Sequence, residues 1–288
     1  MNNFCNICPN QCNVSRSANH LGRCGAERDI KIAKYYLHPF EEPIISGSKG
    51  SGTIFFTGCP LKCVFCQNYE LSRNVRGKTI SPKELADIYK RLEDMGAHNI
   101  NLVTPSHYTD KIIESFEIYK PLIPVVYNTH SYESLETLKT IDKYVDIYLP
   151  DLKFYNGEIS KRYTGLFNYF EHASKSIEFM MNSKKTVIDN GIMKSGVIVR
   201  HLVLPLSSND SIDIINWFAK NKKNGAYISI MSQYTPFGKI ENFPELNRKI
   251  TKKEYTRVLN ALYDSGIENY FLQELSSSDT KFIPTWDF

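Results

Sequence analysis

GTIFFTGCPLKCVFCQN, Gly52 to Asn68, runs an apolar, β-branched and aromatic segment straight into a loop that carries Cys59, Cys63 and Cys66. A short run that is apolar almost throughout reads as a strand covered on both faces, as in parallel sheets. Similar runs follow at NINLVTP (99–105), IPVVYNT (123–129), VDIYLPDL (145–152), GVIVRHLVLP (196–205), AYISIMSQY (226–234) and NYFLQEL (269–275). Helical patterns separate them. Ser81-Pro82-Lys83-Glu84 supplies an N-cap, a first-turn proline and a capping-box glutamate; Leu85, Ile88, Tyr89 and Leu92 form the buried stripe, and Gly96 ends the helix. Thr251 and Glu254 repeat the box before the last helix. Further stripes are Ile112, Ile113, Phe116 and Tyr119, then Ile212, Ile215 and Trp217, and Leu135 with Leu138 predicts a helix between Tyr132 and Asp142.

Strand, helix, strand repeated about six times with right-handed crossovers predicts an α/β fold, either an open doubly wound sheet or a β/α barrel that does not close. Periodicity does not separate the two. Both place function at the carboxyl ends of the strands, and polar residues gather there: Thr104 to Tyr108, Asn128 to His130, Asp151 and Lys153, Arg200 and His201, Gln233 and Tyr234. Residues 1–45 lack the alternation and read as a small cysteine-rich metal-binding extension, with the barrel over 46–288.

Composition narrows the function classes. With 288 residues, 42% hydrophobic and 23% charged, the chain can bury one sizeable core, so disorder is excluded. Its 35 basic and 31 acidic residues are interspersed and leave a net charge of +4, which argues against nucleic acid. The start, Met1-Asn2-Asn3-Phe4-Cys5, lacks the features of a signal peptide, and no apolar run reaches membrane-spanning length, so a cytoplasmic protein is expected. All seven cysteines precede residue 67, an odd number in a chain with no export signal. A disulfide framework explains this poorly, and metal binding explains it better.

Three soft thiolates within eight residues can hold one face of an iron–sulfur cluster, and a four-iron cluster so held keeps one iron without a protein ligand. The alternative is a zinc site completed by a distant histidine. The stretch Gly58-Cys59-Pro60-Leu61-Lys62-Cys63-Val64-Phe65-Cys66-Gln67-Asn68 resembles the signature of radical S-adenosylmethionine (SAM) enzymes. Along nearly the whole chain the sequence is similar to pyruvate-formate-lyase-activating-enzyme-like proteins of the PflX type. The resemblance implies a partial (β/α)6 TIM-like barrel, with Cys59, Cys63 and Cys66 on three irons of a 4Fe-4S cluster and SAM on the fourth. It places Phe65 near the adenine and adds Gln67 and Asn68 to the cofactor-binding set. Asp151-Leu152-Lys153 resembles the Asp-x-Lys that contacts SAM in activating enzymes, Arg200 matches their fifth-strand arginine near ribose and carboxylate, and Asn128 and Thr129 stand where a polar pair meets the ribose. Asp151 and Lys153 also suit a plain ion pair at a barrel rim, and Gln233 and Tyr234 suit rim packing.

The chain departs from that pattern after the second strand. Activating enzymes carry Gly-Gly-Glu there; this chain has Thr104-Pro105-Ser106-His107-Tyr108, which leaves Thr104, Ser106 and backbone carbonyls to meet the methionyl amino group. No cysteine follows Cys66, whereas many activating enzymes insert further cluster cysteines.

CNICPNQCNVSRSANHLGRCG spaces Cys5, Cys8, Cys12 and Cys24 as a second group, with His20 a possible replacement for one of them. Four thiolates match a closed structural zinc or rubredoxin-like iron, and equally an auxiliary iron–sulfur cluster. The resemblance implies reductive cleavage of SAM to a 5′-deoxyadenosyl radical that abstracts hydrogen from a protein, peptide or small molecule, with a one-electron donor such as flavodoxin or ferredoxin. A glycyl-radical activase is the alternative within this chemistry; an iron–sulfur electron carrier or a metal-binding interaction module is the alternative outside it. Tyr108, Tyr234 and His107 are acid–base candidates by location, and the tail SSSDTKFIPTWDF either covers the barrel end or packs as an ordinary terminus.

Overall fold

The structure, a computed structural model, describes residues 4–238 and 240–275. Among the described residues ten strands form one sheet: β1 (Ile30–His38), β2 (Ser51–Phe56), β3 (Lys78–Ile80), β4 (Ile100–Val103), β5 (Val125–Thr129), β6 (Ile147–Pro150), β7 (Val187–Asp189), β8 (Ile192–Leu202), β9 (Tyr227–Met231) and β10 (Tyr270–Leu272). Their order is β10-β9-β8-β6-β5-β4-β2-β1-β3, with β7 hairpinned onto β8. Every pairing from β2 to β10 along this path is parallel, whereas β1 runs antiparallel to both β2 and β3. Because β3 and β10, the two ends of the path, do not pair with each other among the described residues, the barrel is partial, as the resemblance implies and as periodicity alone left open.

Helices α1 (Pro43–Ser46), α2 (Tyr69–Asn74), α3 (Pro82–Asp94), α4 (Thr109–Ile118), α5 (Leu135–Ile141), α6 (Gly157–Thr164), α7 (Tyr169–Ser183), α8 (Ser208–Asn221) and α9 (Lys252–Asp264) connect the strands. Both predicted capping boxes form: Ser81 Oγ accepts from Glu84 N–H at 3.2 Å while the Glu84 carboxylate takes Ser81 N–H at 2.8 Å, and Thr251 and Glu254 do the same. The crossover between β6 and β8 uses two helices, α6 and α7, that the periodicity does not mark. In α8 the buried stripe is Ile214, Ile215 and Phe218; Ile212 and Trp217 are only partly covered, so the predicted stripe is rotated from the true one.

Strand β1 lies inside residues 1–45, where alternation predicts none. Its register shifts between Ile32 and Lys34, and such a bulge breaks the two-residue period by which a half-buried strand is recognised. Beyond β1 the chain folds back at the amino-terminal ends of the strands. There Asn99 Nδ2 donates to the carbonyl of buried Ile45 at 2.8 Å, and Ser51 Oγ donates to Asn99 Oδ1 at 2.6 Å. Gly47 makes this turn at φ 48° and ψ −144°, a backbone conformation open essentially to glycine alone, and a Cβ there would also crowd the Ile192 and His98 side chains. The turn is what brings Glu41 into the barrel.

Residues 4–29 contain no helix or extended strand and are held by side-chain bonds to distant carbonyls. Buried Arg16 donates to the carbonyls of His107 at 2.5 Å, Glu27 at 2.6 Å and Ala26 at 3.3 Å. Arg23 donates to Pro60 O at 2.9 Å and to Thr164 O, and Thr137 Oγ1 donates to Ile7 O at 2.7 Å. The tail Ser276 to Phe288 lies outside the described residues. Among those described, no helix is long and apolar enough to cross a membrane.

Candidate active site at the cysteine loop

Strand β2 delivers the chain to Gly58, whose φ of 86° and close approach to Cys24 O turn it into the loop. Backbone bonds then fix the loop: Cys59 N–H to Cys24 O at 3.2 Å, Val64 N–H to Tyr163 O at 3.0 Å and Cys66 N–H to Cys63 O at 3.3 Å. Cys59, Cys63, Phe65, Cys66, Gln67 and Asn68 form one wall of a cavity in the barrel mouth. Strand ends form the other, with Thr104, Asn128, Thr129, Asp151, Lys153, Arg200 and Gln233.

The facing wall is a connected charge network. Arg200 Nε meets Asp151 Oδ1 at 2.9 Å, its Nη1 meets Glu41 Oε2 at 3.0 Å, and its Nη2 donates to Asn128 Oδ1 at 2.6 Å. Lys153 Nζ meets the other Asp151 oxygen at 2.7 Å, and Asn101 and Asn128 both donate to Glu41 Oε1. Burial alone would raise the Asp151 pKa, but Arg200 and Lys153 hold it below the usual carboxylate value. Burial likewise opposes the charges of Lys153 and Arg200, and Asp151 overrides it in both. Removing one partner of such a buried set leaves an uncompensated charge, which costs about 3–5 kcal/mol. Tyr169 steadies the strand end: its hydroxyl accepts from Lys153 N–H at 3.0 Å and donates to Asp151 O at 2.7 Å.

Thr104 occupies the departure from the Gly-Gly-Glu pattern, and it sits at φ 58° with its N–H bonded to Asn128 O at 2.9 Å. A β-branched residue in the left-handed region is strained by roughly 1–3 kcal/mol, and such strain clusters at functional sites.

Two predicted site residues stand apart from the lining. Ser106 is fully buried and donates to the Glu133 carboxylate, which Thr129 Oγ1 also meets. Tyr234 donates its hydroxyl to Leu246 O at 2.6 Å and presents its ring to Phe65. His107 and Tyr108 are also buried away from the cavity, and burial drives the His107 pKa down to about 3. His201 is a satisfied interior histidine between Leu152 O and Ser211 Oγ, each at 2.8 Å. Conversely, His38, Phe40, Glu41, Phe55 and Met231 line the cavity without having been marked by the sequence. His130, expected among the polar strand ends with Asn128 and Thr129, lines it too. Glu41 was not marked, because its partner Arg200 lies far along the chain.

All seven cysteines are free thiols. Burial pushes Cys59 up to about 11 and Cys63 higher still, so each needs a nearby cation to become a thiolate ligand. In the second group Cys8 is pushed up to about 12 and Cys24 upward, again by burial. Arg23 N–H points to Cys12 Sγ at 3.3 Å and Asn10 Nδ2 to Cys8 Sγ at 3.7 Å, while His20 is exposed. Among the described residues, no three His, Cys, Asp or Glu side chains gather around a single metal-ion position.

Residues 53–218, more than half of the chain, match the Radical SAM superfamily. The chain belongs to the radical SAM superfamily. Membership brings a 4Fe-4S cluster and SAM as cofactors and radical oxidoreductase chemistry, and three thiols of one loop are a donor set that fits such a cluster. The chain is 31% identical over 264 residues to the uncharacterized protein MJ0674 of Methanocaldococcus jannaschii, covering 88% of this chain and 73% of that one. The radical SAM fold is shared with two structures of Streptococcus suis SuiB. The one bound to its precursor peptide SuiA has a TM-score of 0.54, and the one bound to S-adenosylmethionine 0.53, both at 14% identity and 75% coverage of this chain. The chain spans about half of SuiB, 46% and 48% in the two structures.

Proposed function

We propose that Cys59, Cys63 and Cys66 hold the 4Fe-4S cluster and that SAM is seated between this loop and the Asp151–Arg200 wall, for hydrogen abstraction from a protein, peptide or small-molecule substrate. The observation that carries this reading is that three thiols and a fully paired charge network face each other across one cavity. When bound, the cluster and SAM supply reductive cleavage of the sulfonium to a 5′-deoxyadenosyl radical. The chain's own residues bind and orient. Arg200 takes the methionyl carboxylate by exchanging one of its bonds to Asp151, Glu41 and Asn128, Asn128 with Thr129 beside it faces the ribose, Asp151 and Lys153 join them at the rim, and Thr104, Gln67, Asn68 and Gln233 add to the polar lining. Phe55, Phe65 and Met231 give the lining an apolar part, which helps to keep out water and stray hydrogen donors.

The reading extends to a pyruvate-formate-lyase-activating-enzyme-like protein of the PflX type. Its components are an extension over residues 1–45, in which Cys5, Cys8, Cys12 and Cys24 hold a second metal centre, and a catalytic barrel over 46–288. SuiB, of the same fold, binds a precursor peptide, which favours a peptide or protein substrate. The electron comes from a flavodoxin- or ferredoxin-like donor. The test is anaerobic reconstitution with iron and sulfide followed by measurement of 5′-deoxyadenosine from SAM. The parent produces it, and Cys59→Ala, Cys63→Ala and Cys66→Ala each abolish it, because two thiolates do not hold an open-iron cluster. Normal production by any one of the three removes that cysteine from the site.

A further inference from the structure

The cysteine loop has two faces. Leu61, Cys63 and Phe65 look into the reaction cavity, whereas Lys62 and Val64 between them look the other way, into a separate concave surface. That outer surface is lined by Arg23, Lys62, Arg73 and Arg162, with Gly22, Tyr163, Thr164 and Gly165 completing it. Arg162 is neutralised by a bidentate bond to Glu245, at 2.6 and 3.0 Å. The other three have no such partner. Among the described residues, Arg23 and Arg73 donate hydrogen bonds only to backbone carbonyls, Arg73 also lies over the Tyr69 ring at 5.6 Å while its Nε is buried without a hydrogen bond, and Lys62 Nζ has neither a hydrogen bond nor an ion pair. Three cations held together with no carboxylate partner repel one another, and an anionic partner relieves that repulsion.

Resting on the proposed cluster at Cys59, Cys63 and Cys66, we propose that this outer face docks the acidic surface of the one-electron donor protein. A substrate has no use for this position, because the loop separates it from the reaction cavity. An electron donor needs proximity to the cluster and no entry to the cavity, and here the loop alone lies between. Gly22 and Arg23 bring the Cys24 segment to the same surface, so both cysteine groups are near the docked partner.

Lys62→Glu tests this, because the side chain holds nothing in the fold. A purified flavodoxin serves as the donor, and its affinity for the reconstituted protein is measured directly by titration at low salt. The expected result is a loss of roughly tenfold or more in affinity in Lys62→Glu and recovery in Lys62→Arg, with parent binding weakening as salt rises. Flavodoxin-supported SAM cleavage falls in parallel, while cleavage driven by dithionite stays within about twofold of the parent, since a small reductant needs no docking face. Unchanged flavodoxin affinity overturns the proposal. So does equal loss with both reductants, which assigns Lys62 to the cluster environment, and so does inorganic phosphate binding that depends on Lys62 while flavodoxin binding does not. Failure of the proposed function is a separate result: the parent then makes no 5′-deoxyadenosine with dithionite, and the binding titration still decides the docking face.

Discussion

The two cysteine groups are built in opposite ways. Cys59, Cys63 and Cys66 hang from β2, a strand buried along its whole length and paired on both sides, so the sheet sets the position of their loop. Cys5, Cys8, Cys12 and Cys24 lie in coil anchored to the barrel by the guanidinium groups of Arg16 on His107 O and Arg23 on Pro60 O and Thr164 O. The groups meet where Cys59 N–H bonds Cys24 O. The difference teaches that the first group owes its order to neighbouring strands, whereas the second owes it to a few charged hydrogen bonds that can be removed one at a time.

The sharpest way to break this comparison is to empty the second group. In a Cys5→Ala/Cys8→Ala variant, metal analysis should find one centre fewer per chain, SAM should still bind at the first group with some uncoupled cleavage, and turnover of the true substrate should collapse. Loss of SAM binding in a folded variant would mean that the two groups act as one site.

The same contrast explains what the sequence disclosed. The parallel strands were legible because burial on both faces leaves unbroken apolar runs, and the three-cysteine loop was legible because its ligands are close in sequence. Polar positions at strand ends were legible as a set, but not which way each points: Arg200 reaches the cavity, while Ser106 turns back to Glu133 and Tyr234 to Leu246. Glu41 was hidden because it follows β1, a strand masked by its bulge, and acts on Arg200 through a contact that local pattern does not encode. The outer cations were hidden for a related reason, since only the fold brings Arg23 and Arg73 beside Lys62.

A smaller effect sharpens the comparison at its anchor. Arg16→Met keeps the apolar stem and deletes three bonds to carbonyls, one of them on His107. A hydrogen bond to a charged group contributes about 1.5–3 kcal/mol, and three sharing one group do not add, so a loss on the order of 3 kcal/mol in urea denaturation is expected. Hydrogen exchange should quicken over residues 4–25 and stay slow in β2, β4 and β5. Uniform loss of protection would show that the segment and the barrel unfold as one unit.

The smallest effect is in pH, at the residue that joins the two groups. The His107 ring bonds Thr57 O at 2.8 Å, just ahead of the cysteine loop, while its own carbonyl receives Arg16 from the other segment. Burial, with Arg16 adding repulsion, lowers its pKa from 6.5 to about 3, so it is neutral in the folded protein. A histidine depressed in this way contributes stability that is fully present above the unfolded value of 6.5. The contribution is lost as pH falls toward 3, because only the unfolded chain takes up the proton. Between pH 7 and pH 5 one such group removes about 2 kcal/mol. His107→Gln retains an amide able to donate to Thr57 O and does not titrate, while the carboxylates and the other histidines are common to both proteins and cancel in the difference. The stability of the parent minus that of the variant should therefore shrink by about 2 kcal/mol over this interval. A flat difference would mean that the ring takes up its proton as readily in the fold as in the unfolded chain, and the junction between the two groups would then not depend on a neutral His107 beside Arg16.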